Sequence, residues 1–147
     1  DDTLFNKITP FIQLARYDQP VGFMLLFMVV VAPAVFKVLS QKAAASYLRV
    51  LFPRLFLFGA TTSGIATITA IFNNQVHIAA VSAVITLGFL FNAAILTPQI
   101  NRFRDKTIAG DADAKKVFER LHLLSVAIFV SQVSASLYLI ISEAYFV

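Results

Sequence analysis

The sequence predicts an all-α membrane protein, a bundle of four transmembrane helices. Positions 55–101, between Arg54 and Arg102, form a run of 47 residues without a formally charged side chain. Two further uncharged stretches, Gln19 to Phe36 and Leu121 to Ser142, hold 18 and 22 residues. Each is long enough to cross a hydrocarbon core of about 30 Å as a helix rising about 1.5 Å per residue. Hydrophobic residues make up 59% of the 147 and charged residues 14%, too little polar surface to cover a water-soluble domain of this size. The long run exceeds one crossing and is interrupted at Asn73-Asn74-Gln75-Val76-His77. It therefore reads as two helices joined by a tight turn.

Residues 1–19 place Leu4, Phe5, Ile8, Phe11, Ile12 and Leu14 at mostly three- and four-residue spacings, with Asp2, Lys7 and Arg16 between them. That pattern predicts an interfacial amphipathic segment, bent near Pro10, ahead of a four-helix domain over residues 20–147. The first crossing, 20–38, opens on Pro20, whose missing N–H falls among the unpaired donors of a helix start. Pro33 lies inside it and removes the bond to the Val29 carbonyl, so a kink is expected there. Between Gln41 and Pro53, Tyr47, Leu48, Leu51 and Phe52 alternate with Lys42 and Arg49. This predicts a short amphipathic loop helix at the interface, ending where Pro53 and Arg54 start the next crossing.

The second crossing, 54–72, carries Gly59, Ser63 and Thr67 at four-residue intervals with Gly64 one step round, and the third, 78–97, carries Gly88 and Asn92. In the fourth, 112–143, Ala127, Ser131 and Ala135 repeat every fourth position. Small residues at such spacing let helix backbones approach closely where lipid and protein are equally apolar. Asp111 is placed to cap the fourth helix, and Asp113 falls in its first turn, where the dipole favours a carboxylate. That helix exceeds a single crossing, so its first two turns are expected to project from the hydrocarbon.

Ten of the twelve Lys and Arg residues fall in 37–54 and 99–120, and only Lys7 and Arg16 lie elsewhere. With four crossings both basic loops share one side. The positive-inside bias puts them in the cytoplasm of a bacterial inner membrane, or in the matrix of a mitochondrial one, with both termini on the opposite face. Basic residues flanking apolar spans carry no groove-reading helix or aromatic-basic stripe, so the net charge of +4 does not point to nucleic acid. The absence of cysteine excludes disulfides, thiolate metal sites and a cysteine nucleophile.

The one polar constellation above background joins the inner end of the third crossing, Asn101 and Arg102, to that of the fourth, His122 and Ser125. Two readings stay open. In one, His122 donates to a loop carbonyl and Arg102 caps a helix end or reaches lipid phosphate. In the other, Asn101, Arg102 and His122 form an inner-face pocket for a lipid, quinone or haem. His77 and His122 lie about a bilayer thickness apart and cannot be the two axial ligands of one haem. Glycine-rich phosphate loops, His-Glu metal spacings and serine-nucleophile motifs are missing. The residues imply no cofactor, no metal and no catalytic group.

Phe27 to Phe36, Leu51-Phe52-Pro53, Leu96 to Asp105, Gly110-Asp111 and Phe118 to Ser125 together resemble the transmembrane protein 205-like family. The resemblance covers about residues 22–145 and rests on Thr97-Pro98, Asn101-x-x-Arg104-Asp105 and Leu121-His122-x-x-Ser125. It implies four transmembrane helices in a bacterial or mitochondrial inner membrane, with a bacterial branch known as a domain of unknown function, and brings no reaction. A shorter stretch, Leu14 to Leu26, is similar to the start of the 4-hydroxybenzoate polyprenyltransferases. Those enzymes use aspartate-rich magnesium loops that are absent from this chain. The residues thus lead to a non-catalytic accessory or scaffolding subunit, in contact with the bilayer and with other membrane proteins of a larger complex. The alternative is a small membrane oxidase or a ligand-binding protein using the inner-face pocket.

Overall fold

The computed structural model describes residues 21–146, and the interfacial segment expected over 1–19 lies outside them. All regular elements in this range are helical. Four helices, α1 (Val21–Val38), α2 (Gln41–Phe72), α3 (Val76–Ile108) and α4 (Ala112–Phe146), are joined by short turns. All four are long and apolar enough to cross a membrane. Large apolar side chains such as Val29, Ile65, Leu87 and Leu123 stand exposed on every helix, as a lipid-facing surface requires and a water-facing one penalises.

The two loop turns are built alike. At the end of α2 the Gln75 N–H bonds the Ala70 carbonyl at 2.9 Å and the Asn74 N–H bonds that of Ile71 at 3.0 Å. Asn74 takes a positive φ of 55°. At the end of α3 the Asp111 N–H bonds Lys106 at 3.1 Å and the Gly110 N–H bonds Thr107 at 3.0 Å, with Gly110 at φ 97°. Each is a Schellman closure that satisfies the last carbonyls of its helix. Asp111 then caps α4 as expected, its Oδ1 accepting from the Asp113 and Ala114 N–H groups at 3.0 and 2.9 Å.

Three internal prolines are taken up without ending a helix. In α1 the residues Phe27–Val31 form a π-turn, closed by the Ala32 N–H on the Phe27 carbonyl, and Pro33 follows. In α3 the residues Asn92–Leu96 do the same, closed by the Thr97 N–H on Asn92, and Pro98 follows. Both prolines stand two residues after a widened turn, which moves the backbone aside where their rings would collide with it. Pro53 sits inside α2, where Arg54 donates from its guanidinium to the Val50 carbonyl at 2.9 Å. Two expectations change accordingly. The loop helix over 41–53 is not a separate element but the first turns of α2, opened by Ser40, whose Oγ accepts from the Ala43 N–H at 3.3 Å. The third helix continues past Thr97 to Ile108.

In the packing, α2 and α3 form the central hairpin, α4 lies against α3, and α1 from Phe27 onward approaches α2 alone. Phenylalanines fill the middle: the Phe56 ring lies 5.7 Å from Phe52, 6.5 Å from Phe89 and 6.4 Å from Phe129. Gly59 faces Phe89 so closely that a Cβ there would meet the ring at 2.7 Å, and one at Gly88 would meet Gln132 Nε2 at 2.9 Å. At Gly64 it would find only Thr86 Cγ2 at 3.8 Å, an ordinary contact. Buried hydroxyls and amides tie the helices. Ser63 donates to its own helix at the Gly59 carbonyl, 2.7 Å away, and Thr86 lies 2.9 Å from Ser63 Oγ. Gln132 Nε2 donates to the Ile85 carbonyl at 2.8 Å.

The expected small-residue face of α4 is turned elsewhere. Ser125, Phe129, Gln132, Val133, Ser136 and Leu139 are buried, while Ala127 and Ser131 are exposed and Ala135 is half-buried. Among the described residues, the hydrogen-bond partners of Gln132 and Ser125 lie on α3. Satisfying them turns the alanine face, roughly 110° round by helical geometry, toward lipid.

Candidate functional site

Because α1 from Phe27 onward leans on α2 while α4 leans on α3, a cleft is left between that part of α1 and α4. It has a volume of about 160 Å³. Its walls are Phe27 and Met28 of α1, Phe52 and Phe56 of α2, and Val126, Phe129 and Val130 of α4. At its basic end stand Thr97, Ile100, Asn101 and Arg104 of α3 with His122 and Ser125 of α4. The helical repeat explains the selection. Thr97, Asn101 and Arg104 are spaced i, i+4, i+7 and share a face, as do His122, Ser125 and Phe129 at i, i+3, i+7.

Three of the four polar residues singled out from sequence, Asn101, His122 and Ser125, therefore meet in one place. Arg102 does not. It is exposed and lies outside the cleft lining, and Arg104 occupies the position expected of it. The periodicity that finds Arg104 runs through the Thr97-Pro98 step, where the apolar pattern of the third crossing ends.

The surroundings of Arg104 are specific. Its guanidinium carbon stands 5.4 Å from the centroid of the Phe118 ring, and the Phe118 and His122 rings are nearly parallel, at 12° and 6.0 Å. The neighbouring Asp105 is engaged by Arg49 in a two-pronged ion pair, Nη2 on Oδ1 and Nη1 on Oδ2, the latter at 3.3 Å. That pair ties α2 to α3 beyond their apolar stretches. Deeper in the cleft the Ser125 hydroxyl donates to Asn92 Oδ1 at 2.6 Å. Asn92 is fully buried, and its Nδ2 has no partner among the described residues.

Both π-turns touch this site. Phe27 begins the turn of α1 and lines the cleft, and Asn92 begins the turn of α3 and holds Ser125, which lines it too. Widened turns of this kind recur where a helix is shaped around a function. His77 is far from all of this, its ring 5.8 Å from Tyr138 near the other end of α4. The cleft offers hydrogen-bond donors, one fixed cation and aromatic walls.

A family model described as a domain of unknown function, DUF4149, matches residues 20–108, more than half of the chain. The chain belongs to the DUF4149 family. The matched region contains α1, α2 and α3, and with them every cleft residue from Phe27 to Arg104, while α4 lies beyond it. No curated protein and no solved structure matches this DUF4149 chain.

Proposed function

We propose that this DUF4149 protein is a non-catalytic, multi-pass membrane protein that holds one tail and the head group of an amphiphilic lipid in the cleft between α1 and α4. The tail lies along Phe27, Phe56, Phe129 and Val130, and the polar head lies at Asn101, Arg104 and His122. The observation that carries this reading is the cleft's polarity, apolar along its walls and donor-rich at one end. The basic end faces the cytoplasm of a bacterial inner membrane or the mitochondrial matrix, a placement supported by the charge bias of the sequence. The finer resemblance to the transmembrane protein 205-like family fits the same setting and adds no reaction. Protein purified in a mild detergent is expected to release a stoichiometric amphiphile on solvent extraction, detected by mass spectrometry, with an absorption spectrum added to detect a quinone or haem. Val126→Trp, which fills the cleft, should reduce the yield severalfold. Equal yields from both proteins would count against the proposal.

A second reading, an accessory subunit of a larger membrane assembly, is supported by the outward turn of Ala127 and Ser131, small residues that stand exposed among the described helices. It predicts migration in a complex well above the monomer mass at native abundance. A lone monomer under those conditions would exclude it.

A further inference from the structure

Resting on the cleft reading above, we infer that the amphiphile carries a phosphate-bearing, net anionic head group, held by the Arg104 guanidinium and the Asn101 amide. Arg104 lines the cleft and, among the described residues, makes no ion pair. The carboxylate beside it is already committed, since both oxygens of Asp105 face Arg49. The Arg104 guanidinium carbon stands over the Phe118 ring at 5.4 Å, a cation–π contact that takes up none of its fork of N–H donors. That edge matches the oxygens of a phosphate, which accept two parallel bonds.

A neutral head such as a quinone or an alcohol would offer the half-buried guanidinium only neutral acceptors, which bond it more weakly than an anion does. A zwitterionic head would supply the phosphate but bring its own cation to an end of the bundle that already carries Arg102, Arg104 and Arg120. The aromatic wall formed by Phe27, Phe56 and Phe129 suits an acyl chain and gives a free phosphate nothing to bind. We therefore assign the anion to a lipid.

The test uses the full chain in a neutral detergent, with phosphatidate and phosphatidylcholine of identical acyl chains as probes and native mass spectrometry as readout. Wild-type protein should retain phosphatidate over phosphatidylcholine by about tenfold, the scale of one charge-assisted hydrogen bond. Arg104→Gln should bring the two lipids near parity while still retaining lipid. Arg102→Gln, the same loss of charge on the exposed face, should leave the preference intact. Equal effects of the two substitutions, or phosphatidylcholine held as well as phosphatidate by wild type, would overturn the head-group assignment and leave the cleft standing. Displacement of phosphatidate by millimolar inorganic phosphate would make the site one for the free anion. Wild-type protein that keeps neither lipid would instead refute the cleft reading itself. If it then ran as a dimer that Val126→Trp splits, the cleft would belong to a second copy of the chain.

Discussion

Gly59 and Gly64 show how much a spacing rule conveys at the scale of a residue. The sequence marks both as small positions in a membrane helix. The structure separates them, because Gly59 faces the Phe89 ring and Gly64 has room for a methyl. Gly59→Ala is expected to destabilise the protein by about 1 to 3 kcal/mol through overpacking against Phe89. Gly64→Ala should be neutral or add about 0.5 to 1 kcal/mol from the better helix propensity of alanine. Thermal unfolding in detergent of the two variants side by side checks both signs. A spacing of four tells which residues share a face, but the size of the opposing side chain belongs to another helix and is absent from the local pattern. The same holds for Ala127 and Ser131, whose outward turn was decided by where Gln132 finds a carbonyl on α3.

At the scale of the element, the number of helices, the Asn73–Gln75 turn and the Asp111 cap were all readable, because hydropathy and turn chemistry are local. Helix continuity through Pro53 and Pro98 was not. At Pro53 two helical patterns meet and the proline marks a boundary between them, while at Pro98 the apolar run stops and the polar residues beyond carry no hydropathy signal, although charged residues continue a helix readily once it leaves lipid. The stop at Pro98 hid Arg104, which shares a face with Thr97 and Asn101 only if α3 continues. The π-turn at Asn92–Leu96 makes a prediction of its own. A π-turn carries one extra residue, so deleting Ala94 restores an α-helical repeat and presents Pro98 to an ordinary turn, at a cost of about 3 kcal/mol or more. The combined variant, the Ala94 deletion with Pro98→Ala, should recover most of that loss in thermal unfolding. A double variant no more stable than the deletion alone would show that the π-turn is not there to accommodate the proline.

For the whole molecule, the sequence gives four crossings and one basic end but not which helices are neighbours. The cleft exists because α1 from Phe27 onward packs on α2 and α4 packs on α3, leaving the inner half of the first helix apart from the last. Orientation is open to direct measurement, since the chain has no cysteine and Asp113 is exposed beside the second basic turn. Asp113→Cys should react with a membrane-impermeant maleimide only after the cytoplasmic or matrix face is opened. Reaction in intact cells or mitochondria would invert the topology. Occupation of the cleft from the bilayer is open to the most direct test. Photolysis of the reconstituted protein with a lipid bearing a diazirine in its acyl chain, followed by peptide mass spectrometry, reads this out. Adducts concentrated at Phe27–Met28 and Val126–Val130 are predicted, well above those at the lipid-facing Ile65, Leu87 and Ile141. Adducts spread evenly over all of these positions would contradict it.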